Sequence, residues 1–213
     1  MRVTAIEKQR RSRRANLFID GRFALAASLE VLAQAGLRVG DEIDDVRLDE
    51  LRQAETRHAA LTSALRLLAY RPRSEAEVRQ RLARRGAPPV VVDETIARLR
   101  DLALVDDEAF ARFWVESRDQ TRPRSRRLLA SELRIKGVAG QTTERSLADL
   151  NEDDAAYRAG ARRGRMLAAL PYAEFRRRLG GFLLRRGFAY ETVRATVNRL
   201  WRETTSQATS EDE

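Results

Sequence analysis

The sequence contains no cysteine, and this absence removes several kinds of chemistry. Without thiols the chain can form no disulfide, no thiol nucleophile and no cysteine-bound zinc site. Its single histidine, His58, has no second histidine with which to share a metal or a proton. No P-loop sequence is present, so we expect no ATP hydrolysis by the protein itself. We therefore expect no cofactor, no metal site and no catalytic role for His58.

Long apolar segments are also lacking. No run approaches the roughly 18–20 apolar residues that a membrane-spanning helix needs. The opening stretch, MRVTAIEKQRRSRR, has no apolar core of the kind found in signal peptides. We therefore expect a soluble, cytoplasmic protein with no membrane contact.

Positive charge is abundant, although lysine is scarce. The chain has 41 Lys and Arg against 32 Asp and Glu, a formal net charge of +9, and its only lysines are Lys8 and Lys136. A surplus of this size favours polyanions or acidic protein surfaces as partners and says little about the fold. The preference for arginine also fits a coding bias, so charge alone does not separate a functional origin from a compositional one.

The first fifty residues differ from the rest and predict a small β-rich module. Alternating and β-branched positions predict strands at 3–8, 13–19 and 22–25, with Asp20-Gly21 as a two-residue hairpin turn. Ser28 is placed to cap a helix that stops at Gly36. Such a module is too short to build a large core of its own.

Beyond Leu48 the pattern is helical, and it repeats every fifty residues or so. Five positions recur three times with steps of +4, +4, +10 and +3. Residues four apart share a helix face, the glycine that follows ends that helix, and the last two positions predict the inner face of a further helix. The recurring positions are Val78, Leu82, Gly86, Ile96 and Leu99; Leu129, Leu133, Gly137, Leu147 and Leu150; and Leu179, Leu183, Gly187, Val197 and Leu200.

Each repeat has room for one more helix before this pattern, so three units of three helices are predicted. The fold class is mainly α: three tandem three-helix repeats that form an elongated curved solenoid, preceded by the small β-rich N-terminal module. We place the N-terminal module at 1–50, the repeats at 51–106, 107–154 and 155–203, and a disordered acidic tail at 204–213.

The tetrapeptide Arg-Pro-Arg-Ser occurs at 71–74 and again at 122–125. Ser74 and Glu77 are spaced as a capping box, which predicts a helix start. Ser125 is placed to cap the equivalent helix, but Arg126 and Arg127 follow it, where cations oppose the helix dipole. The third copy, LPYAEF, keeps a proline and loses the serine. We interpret the tetrapeptide mainly as a helix start, and the two unfavourable arginines as a sign of function in the middle repeat.

Two further patterns have structural interpretations. Paired carboxylates at Asp106/Asp107 and Asp153/Asp154 come just before predicted helices, where a carboxylate caps backbone amides. The aromatic residues of the middle repeat are spaced as one buried helix face, namely Phe110, Phe113 and Trp114.

Basic residues near the predicted helix ends are the candidate binding site. Each cation near a helix C-terminus is also favoured by the dipole, so a structural explanation exists for each one singly. Repeated in register, however, they predict a stripe suited to phosphates or to an acidic protein groove. The candidate residues are Arg81, Arg84 and Arg85; Arg134 and Lys136; Arg185 and Arg186; and, in the middle repeat, Arg122, Arg124, Arg126 and Arg127.

Several stretches resemble the RecX family, bacterial regulators of the RecA recombinase. They are ALRLLAYRPRSEAEVRQRLARRG, VDETIARLRDLALVDDEAFARFWVESR and RPRSRRLLASELRIKGV, and the resemblance covers about Leu61 to Trp201. Its most specific piece runs from Val105 to Ala111, and the third repeat is more divergent. The segment NLFIDGRFALAASLEVLAQAGLRVGDEI also resembles the N-terminal extension of longer family members.

The resemblance implies a non-enzymatic regulator with three tandem three-helix units. Such a protein is expected to bind in the groove of the RecA–DNA filament and to inhibit ATPase, strand-exchange and co-protease activities in homologous recombination, DNA repair and the SOS response. The expected partners are RecA and, through phosphate contacts, single- or double-stranded DNA, and we expect a monomer. The alternative from another class is a stand-alone nucleic-acid-binding helical repeat protein.

Overall fold

The computed structural model describes the backbone of residues 1–210 and the side chains of residues 1–205. The chain divides into two compact units. The first unit contains Met1–Arg71 and Val78–Leu104, and the second contains Pro72–Glu77 and the residues from Val105 onward. Among the described residues no helix is both long enough and apolar enough to span a membrane.

The first unit begins with a three-stranded antiparallel sheet. Strands β1 (Val3–Lys8), β2 (Arg14–Ile19) and β3 (Arg22–Ser28) lie in the order β1-β2-β3. Asp20 and Gly21 both have positive φ, 47° and 77°, as a tight hairpin turn requires. The predicted hairpin is therefore confirmed. Strand β3 continues past the predicted end at Leu25, because its pairing with β2 extends to Ser28.

A short helix and a long helix cover this sheet. Helix α1 (Leu29–Gln34) starts at Ser28, whose hydroxyl accepts a 3.1 Å hydrogen bond from the Val31 amide, so the predicted cap is confirmed. Helix α2 (Asp45–Leu68) is capped by Asp44. Leu48 and Leu51 of α2 pack in the same core as the sheet. Position 50 therefore lies inside a helix whose first turns belong to the N-terminal core.

The remaining helices complete three groups of three. They are α3 (Glu75–Arg84) and α4 (Pro89–Asp101), which follow α2; α5 (Asp107–Thr121), α6 (Arg126–Ile135) and α7 (Gly140–Leu147); and α8 (Glu152–Met166), α9 (Tyr172–Arg185) and α10 (Tyr190–Ser210). The predicted fold class, three tandem three-helix units behind a small β-rich module, is confirmed. Helix α9 has 14 residues where α3 and α6 each have 10. This extra turn explains why the proline of the third copy is out of register.

The repeated apolar positions form the helical cores. In α3, α6 and α9 the paired residues are at most 1% exposed. The glycines that follow have φ of 80°, 78° and 88°, the left-handed conformation that glycine adopts most easily. Leu150 differs from the prediction, because α7 ends at Leu147 and Leu150 lies beyond it, only half-buried. The paired residues are Val78 and Leu82, Leu129 and Leu133, and Leu179 and Leu183.

The predicted disorder from Thr204 onward is not what the structure has. Helix α10 continues to Ser210, and Thr204 is buried, with its hydroxyl donating to the carbonyls of Leu200 and Trp201 at 3.0 and 2.9 Å. These bonds satisfy the polar side chain inside the helix, so a polar composition does not end it there. The last part of the predicted tail, 211–213, lies outside the described residues.

Two local predictions in the middle of the chain also change. Phe113 is 38% exposed, because the buried stripe of α5 runs through Phe110, Ala111 and Val115 instead. Asp106 caps α5 as predicted, whereas α8 is capped by Asn151. The two predicted capping carboxylates, Asp153 and Asp154, lie two and three residues after this cap, in the first turn of that helix.

Candidate partner-binding surface

The first Arg-Pro-Arg-Ser segment joins the start of α3 to the turn after α6. The capping box is present, with the Glu77 amide donating to the Ser74 hydroxyl at 3.2 Å and the Ser74 amide donating to the Glu77 carboxylate at 3.4 Å. The Ser74 hydroxyl also donates to the Lys136 carbonyl at 2.6 Å. The Glu75 amide donates to the Asp107 carboxylate at 2.8 Å. This helix start is therefore an internal junction with the next group of helices.

The second copy forms the equivalent junction with α8 and α9. Ser125 caps α6 by accepting from the Leu128 amide at 3.2 Å, and its own amide donates to the Arg186 carbonyl at 3.1 Å. The Arg126 amide donates to the Glu152 carboxylate at 3.2 Å. Ser74 and Ser125 are both fully buried. In the third copy, Pro171 starts α9 without a side-chain hydrogen bond, as the loss of serine predicts.

The glycine turns fit closely against these helix starts. A Cβ atom added to Gly137 would lie 2.4 Å from the Ala76 Cβ, and one added to Gly187 would lie 2.5 Å from the Ser125 hydroxyl oxygen. At Gly86 an added Cβ would meet no atom within 4 Å. The second and third repeated glycines are therefore needed for close packing as well as for their backbone conformation.

Lys136 of the candidate site is held inside the first junction. Its ammonium nitrogen lies 2.8 Å from a Glu77 carboxylate oxygen and 4.2 Å from the centre of the Trp114 ring. The side chain is only 17% exposed. A cation placed between a carboxylate and an aromatic face already has its counter-charge. Lys136 therefore supports the fold at this position.

Arg186 has the corresponding place in the second junction. Its guanidinium donates to the Pro123 carbonyl at 3.0 Å and lies 4.7 Å from the centre of the Phe182 ring. Burial first, and then the like charges of Arg124 and Arg122, lower the pKa of the Arg186 guanidinium below its ordinary value. Arg186 thus packs against a carbonyl and a ring, in a region of positive charge.

Two further candidates also have internal partners. Arg124 is ion-paired with Glu132. Arg126 donates to the Leu150 carbonyl at 2.9 Å and to the Ala148 carbonyl at 3.5 Å, at the end of α7. A cation is favourable at a helix C-terminus, so this contact explains an arginine that is unfavourable for its own helix.

The other seven candidates are exposed, and within the described part of the chain their side chains have no hydrogen bond or ion pair. Four of them lie in the last turn of a helix and two directly follow a helix, where the dipole favours a cation. Arg127 differs, because it lies in the first turn of α6. That first turn contains no acidic residue to offset the positive charge. It lines a cavity of about 600 Å³ together with Thr143, whose buried hydroxyl has no hydrogen-bond partner among the residues that the structure describes. The seven are Arg81, Arg84 and Arg85 in the first unit and Arg122, Arg127, Arg134 and Arg185 in the second.

Glu132, which belongs to none of the sequence motifs above, organises this region. Its carboxylate accepts from the Trp114 indole at 2.8 Å and from Arg118 at 2.9 Å, besides pairing with Arg124. A signal was present, because Glu132 is the only acidic residue of α6. Its partners on α5 could not be assigned from the sequence, since they lie 14 and 18 positions away.

Among the described residues no three carboxylates or histidines are grouped so as to hold a metal ion. His58 is half-buried, and its ring lies 3.4 Å from the Thr62 hydroxyl. Tandem three-helix units with exposed arginines and an N-terminal sheet define a class of helical repeat proteins with basic surfaces.

Comparison with known proteins assigns the family. Residues 1–44 match the regulatory protein RecX N-terminal domain. Residues 60–99, 106–147 and 151–197 match the first, second and third three-helix domains of RecX. The chain belongs to the RecX family.

Similar proteins span most of the chain. It is 28% identical to the regulatory protein RecX of Bacillus velezensis over 213 residues, covering 98% of this chain and 81% of the relative. It is 30% identical to that of Lactobacillus johnsonii over 207 residues, covering 95% of this chain and 76% of the relative.

Solved structures share the fold. A crystal structure of regulatory protein RecX matches with a TM-score of 0.65 at 23% identity, covering 92% of this chain and 98% of that one. RecX from Lactobacillus salivarius matches with a TM-score of 0.60 at 23% identity, covering 69% of this chain and 97% of that one.

Proposed function

We propose that this protein is a non-enzymatic regulator that binds the RecA–DNA filament and mainly inhibits RecA ATPase, strand-exchange and co-protease activities. Membership of the RecX family supports this proposal, since relatives across the chain are named regulatory proteins. Its place of action is the cytoplasm, where it acts as a monomer on the filament.

The observation that carries the proposal is the contrast among the four arginines of the second Arg-Pro-Arg-Ser region. Arg124 and Arg126 have internal partners, whereas Arg122 and Arg127 are exposed and have none among the described side chains. A cation in the first turn of a helix costs about 0.3–1 kcal/mol through the dipole. An anionic partner would offset this cost at Arg127. The two free guanidinium groups therefore suit an acidic RecA surface, DNA phosphates or both.

The proposed contacts also give a means of inhibition. A protein that binds adjacent RecA protomers together would restrict the closure on which ATP turnover in the filament depends. Inhibition then requires binding energy and no chemistry from this chain. Arg122 and Arg127 supply part of that binding energy.

The test is the rate of ATP hydrolysis by RecA on single-stranded DNA, titrated with this protein. The test variant combines Arg122→Ala with Arg127→Ala. The matched control combines Arg112→Ala with Arg162→Ala, two exposed arginines of the same unit that lie outside the candidate site. Both variants lose the same charge. We expect the unchanged protein to suppress hydrolysis, and the test variant to require about tenfold more protein, a difference of about 1.4 kcal/mol.

Two results would contradict parts of this proposal, and a second activity provides a check. No suppression by the unchanged protein at several-fold excess over RecA would overturn the proposed function. Equal weakening of both variants would show that net charge matters and that Arg122 and Arg127 make no specific contact. Strand exchange measured in the same titration should follow the ATPase result, because both activities depend on the filament.

A further inference from the structure

A second basic surface lies in the first unit, far along the sequence from Arg122 and Arg127. It is a cavity of about 990 Å³ lined by the turn between β1 and β2, the start of α1, the second half of α2 and the residue after α3. Its lining contains five arginines and one carboxylate, Glu30. The five are Arg11, Arg13, Arg14, Arg66 and Arg85.

One of these arginines has a structural role. Arg14 donates to the Ala26 carbonyl at 2.7 Å, and its guanidinium lies 2.6 Å from the Glu55 carboxylate, without the angle of a hydrogen bond. Glu55 is buried, and its other oxygen accepts from the Ser28 amide at 2.7 Å. This ion pair fixes the sheet to α2 and is neutral overall. It builds one wall of the cavity and leaves the other four arginines unbalanced.

Those four arginines belong to different elements of the first unit, and no described carboxylate is paired with any of them. Arg11 and Arg13 belong to the turn, Arg66 to the last turn of α2, and Arg85 follows α3. All four are exposed, and among the described side chains none has a hydrogen bond or an ion pair. Four positive charges around one concavity repel one another, and Glu30 offsets only one of them. An anionic ligand would relieve this repulsion.

The backbone gives a second, independent indication. Arg11 has φ of +58°, a conformation that is uncommon for a residue with a side chain and costs of the order of 1 kcal/mol or more. The helix dipole favours a cation at the positions of Arg66 and Arg85, but it gives no reason for Arg11 and Arg13. Residues with such a φ are found at ligand-binding sites and in hairpin turns, and Arg11 lies both in the turn between β1 and β2 and in the lining of this cavity.

We propose that this cavity binds the phosphodiester backbone of a single nucleic-acid strand. Guanidinium groups match phosphate oxygens in a bidentate manner, and several of them around one concavity suit successive phosphates. Phe, Tyr and Trp are missing from the lining, so it offers no ring on which a base would stack. Recognition therefore rests on phosphate charge and is independent of base sequence. This contact adds to the proposed regulation of the filament and needs no RecA.

The test measures binding of a fluorescein-labelled 20-residue oligo(dT) by this protein alone, using fluorescence anisotropy at several salt concentrations. The test variant changes Arg11, Arg13, Arg66 and Arg85 to Gln. The matched control changes four exposed arginines of the same unit that lie outside the cavity, Arg22, Arg52, Arg57 and Arg98, to Gln. Both variants lower the formal net charge of +9 by four.

We expect the unchanged protein to bind with a steep salt dependence. Each phosphate contact on a single strand contributes a slope of about 0.7 in log affinity against log salt, so the test variant should lose a slope of about 3. Its affinity at about 0.1 M salt should fall at least tenfold, and the control should keep most of the slope. Inorganic tripolyphosphate should compete only weakly, because it cannot occupy the whole row of arginines.

Other results would overturn the proposal. Equal loss in both variants would indicate attraction by net charge, and no binding by the unchanged protein would exclude the site. Strong competition by tripolyphosphate would identify a site for small anions. Thermal unfolding checks that the variants fold, and Arg13→Gln with Arg85→Gln is the milder pair if the fourfold change does not fold. Because the sample contains no RecA, failure here leaves the ATPase test of filament regulation unaffected.

Discussion

The two Arg-Pro-Arg-Ser segments have the same letters and the same position in the fold, yet they hold the next helices in different ways. At the first junction, Lys136 lies between the Glu77 carboxylate and the Trp114 ring. At the second, Arg186 lies against the Pro123 carbonyl and the Phe182 ring, with no ion pair among the described side chains. One junction is charge-balanced and the other keeps a surplus of positive charge.

This difference separates structural cations from those free to bind. Glu77 of the first capping box is the counter-ion of Lys136 in the next repeat, so the charge of this lysine is balanced inside the protein. The second copy has Leu128 at the equivalent helix position, so no carboxylate is supplied there. Burial first, and then the like charges of Arg124 and Arg122, lower the pKa of the Arg186 guanidinium. The second junction is thus the one able to attract an anionic partner, as proposed for Arg122 and Arg127.

The largest expected effects come from the glycine turns that both junctions share. Gly137→Ala and Gly187→Ala should each destabilise the protein by about 2–5 kcal/mol, because a left-handed alanine costs about 1–2 kcal/mol and overpacking adds about 1–3 kcal/mol. Gly86→Ala is the matched control, since its added methyl group meets no atom within 4 Å and only the backbone cost remains. Denaturant unfolding measures all three. Equal losses at the three glycines would show that neither junction is closely packed.

The next effect tests the electrostatic difference between the junctions. Lys136→Met should cost about 1–3 kcal/mol, because it leaves the Glu77 carboxylate, which is 20% exposed, without its ammonium partner. Arg186→Met should cost about 1 kcal/mol or less, since it loses one neutral acceptor while a partly buried charge is removed. A double-mutant cycle of Lys136→Met with Glu77→Gln isolates the coupling energy. A coupling near zero would mean that the ion pair contributes nothing and that the two junctions are alike.

The sequence predicted features that depend on neighbouring residues. The glycine stops, the Ser74 and Ser125 caps and the buried leucines all follow from spacings within one or two turns of helix, and all are found except the burial of Leu150. Whether a basic residue is paired inside the protein or exposed depends on contacts between residues far apart in the sequence. Lys136 and Glu77 are 59 positions apart.

The candidate stripe shows the same limit. Its register was visible in the sequence, because Arg85, Lys136 and Arg186 each precede a repeated glycine. Spacing cannot tell whether such a side chain turns inward or outward, since the helix dipole favours a cation in either case. Only Arg85 of these three is exposed. Likewise, no local pattern places the turn at Arg11 beside the end of α3.

The smallest effect concerns the start of α9, where no serine caps the helix and no lysine pairs with its glutamate among the described side chains. Glu174 lies three residues into α9, as Glu77 does in α3, but it bonds to arginines of its own helix. Hydrogen bonds from Arg177 and then Arg178 lower the pKa of the Glu174 carboxyl to about 2 from 4.5.

Because the folded pKa lies below the unfolded value, this carboxylate stabilises the protein above pH 4.5, and its contribution disappears as the pH falls toward 2. The unfolding midpoint of the unchanged protein should therefore fall toward that of Glu174→Gln between these pH values. The difference in unfolding midpoint between the two proteins should be slight, because the arginines paired with Glu174 are exposed and solvent screens their charges. Glu77→Gln is the informative comparison, because it should lower the unfolding midpoint more at neutral pH, where Lys136 of the next repeat also pairs with this carboxylate. If the two glutamine variants behave alike, the first helix start is as local as the third, and its junction is held by packing alone.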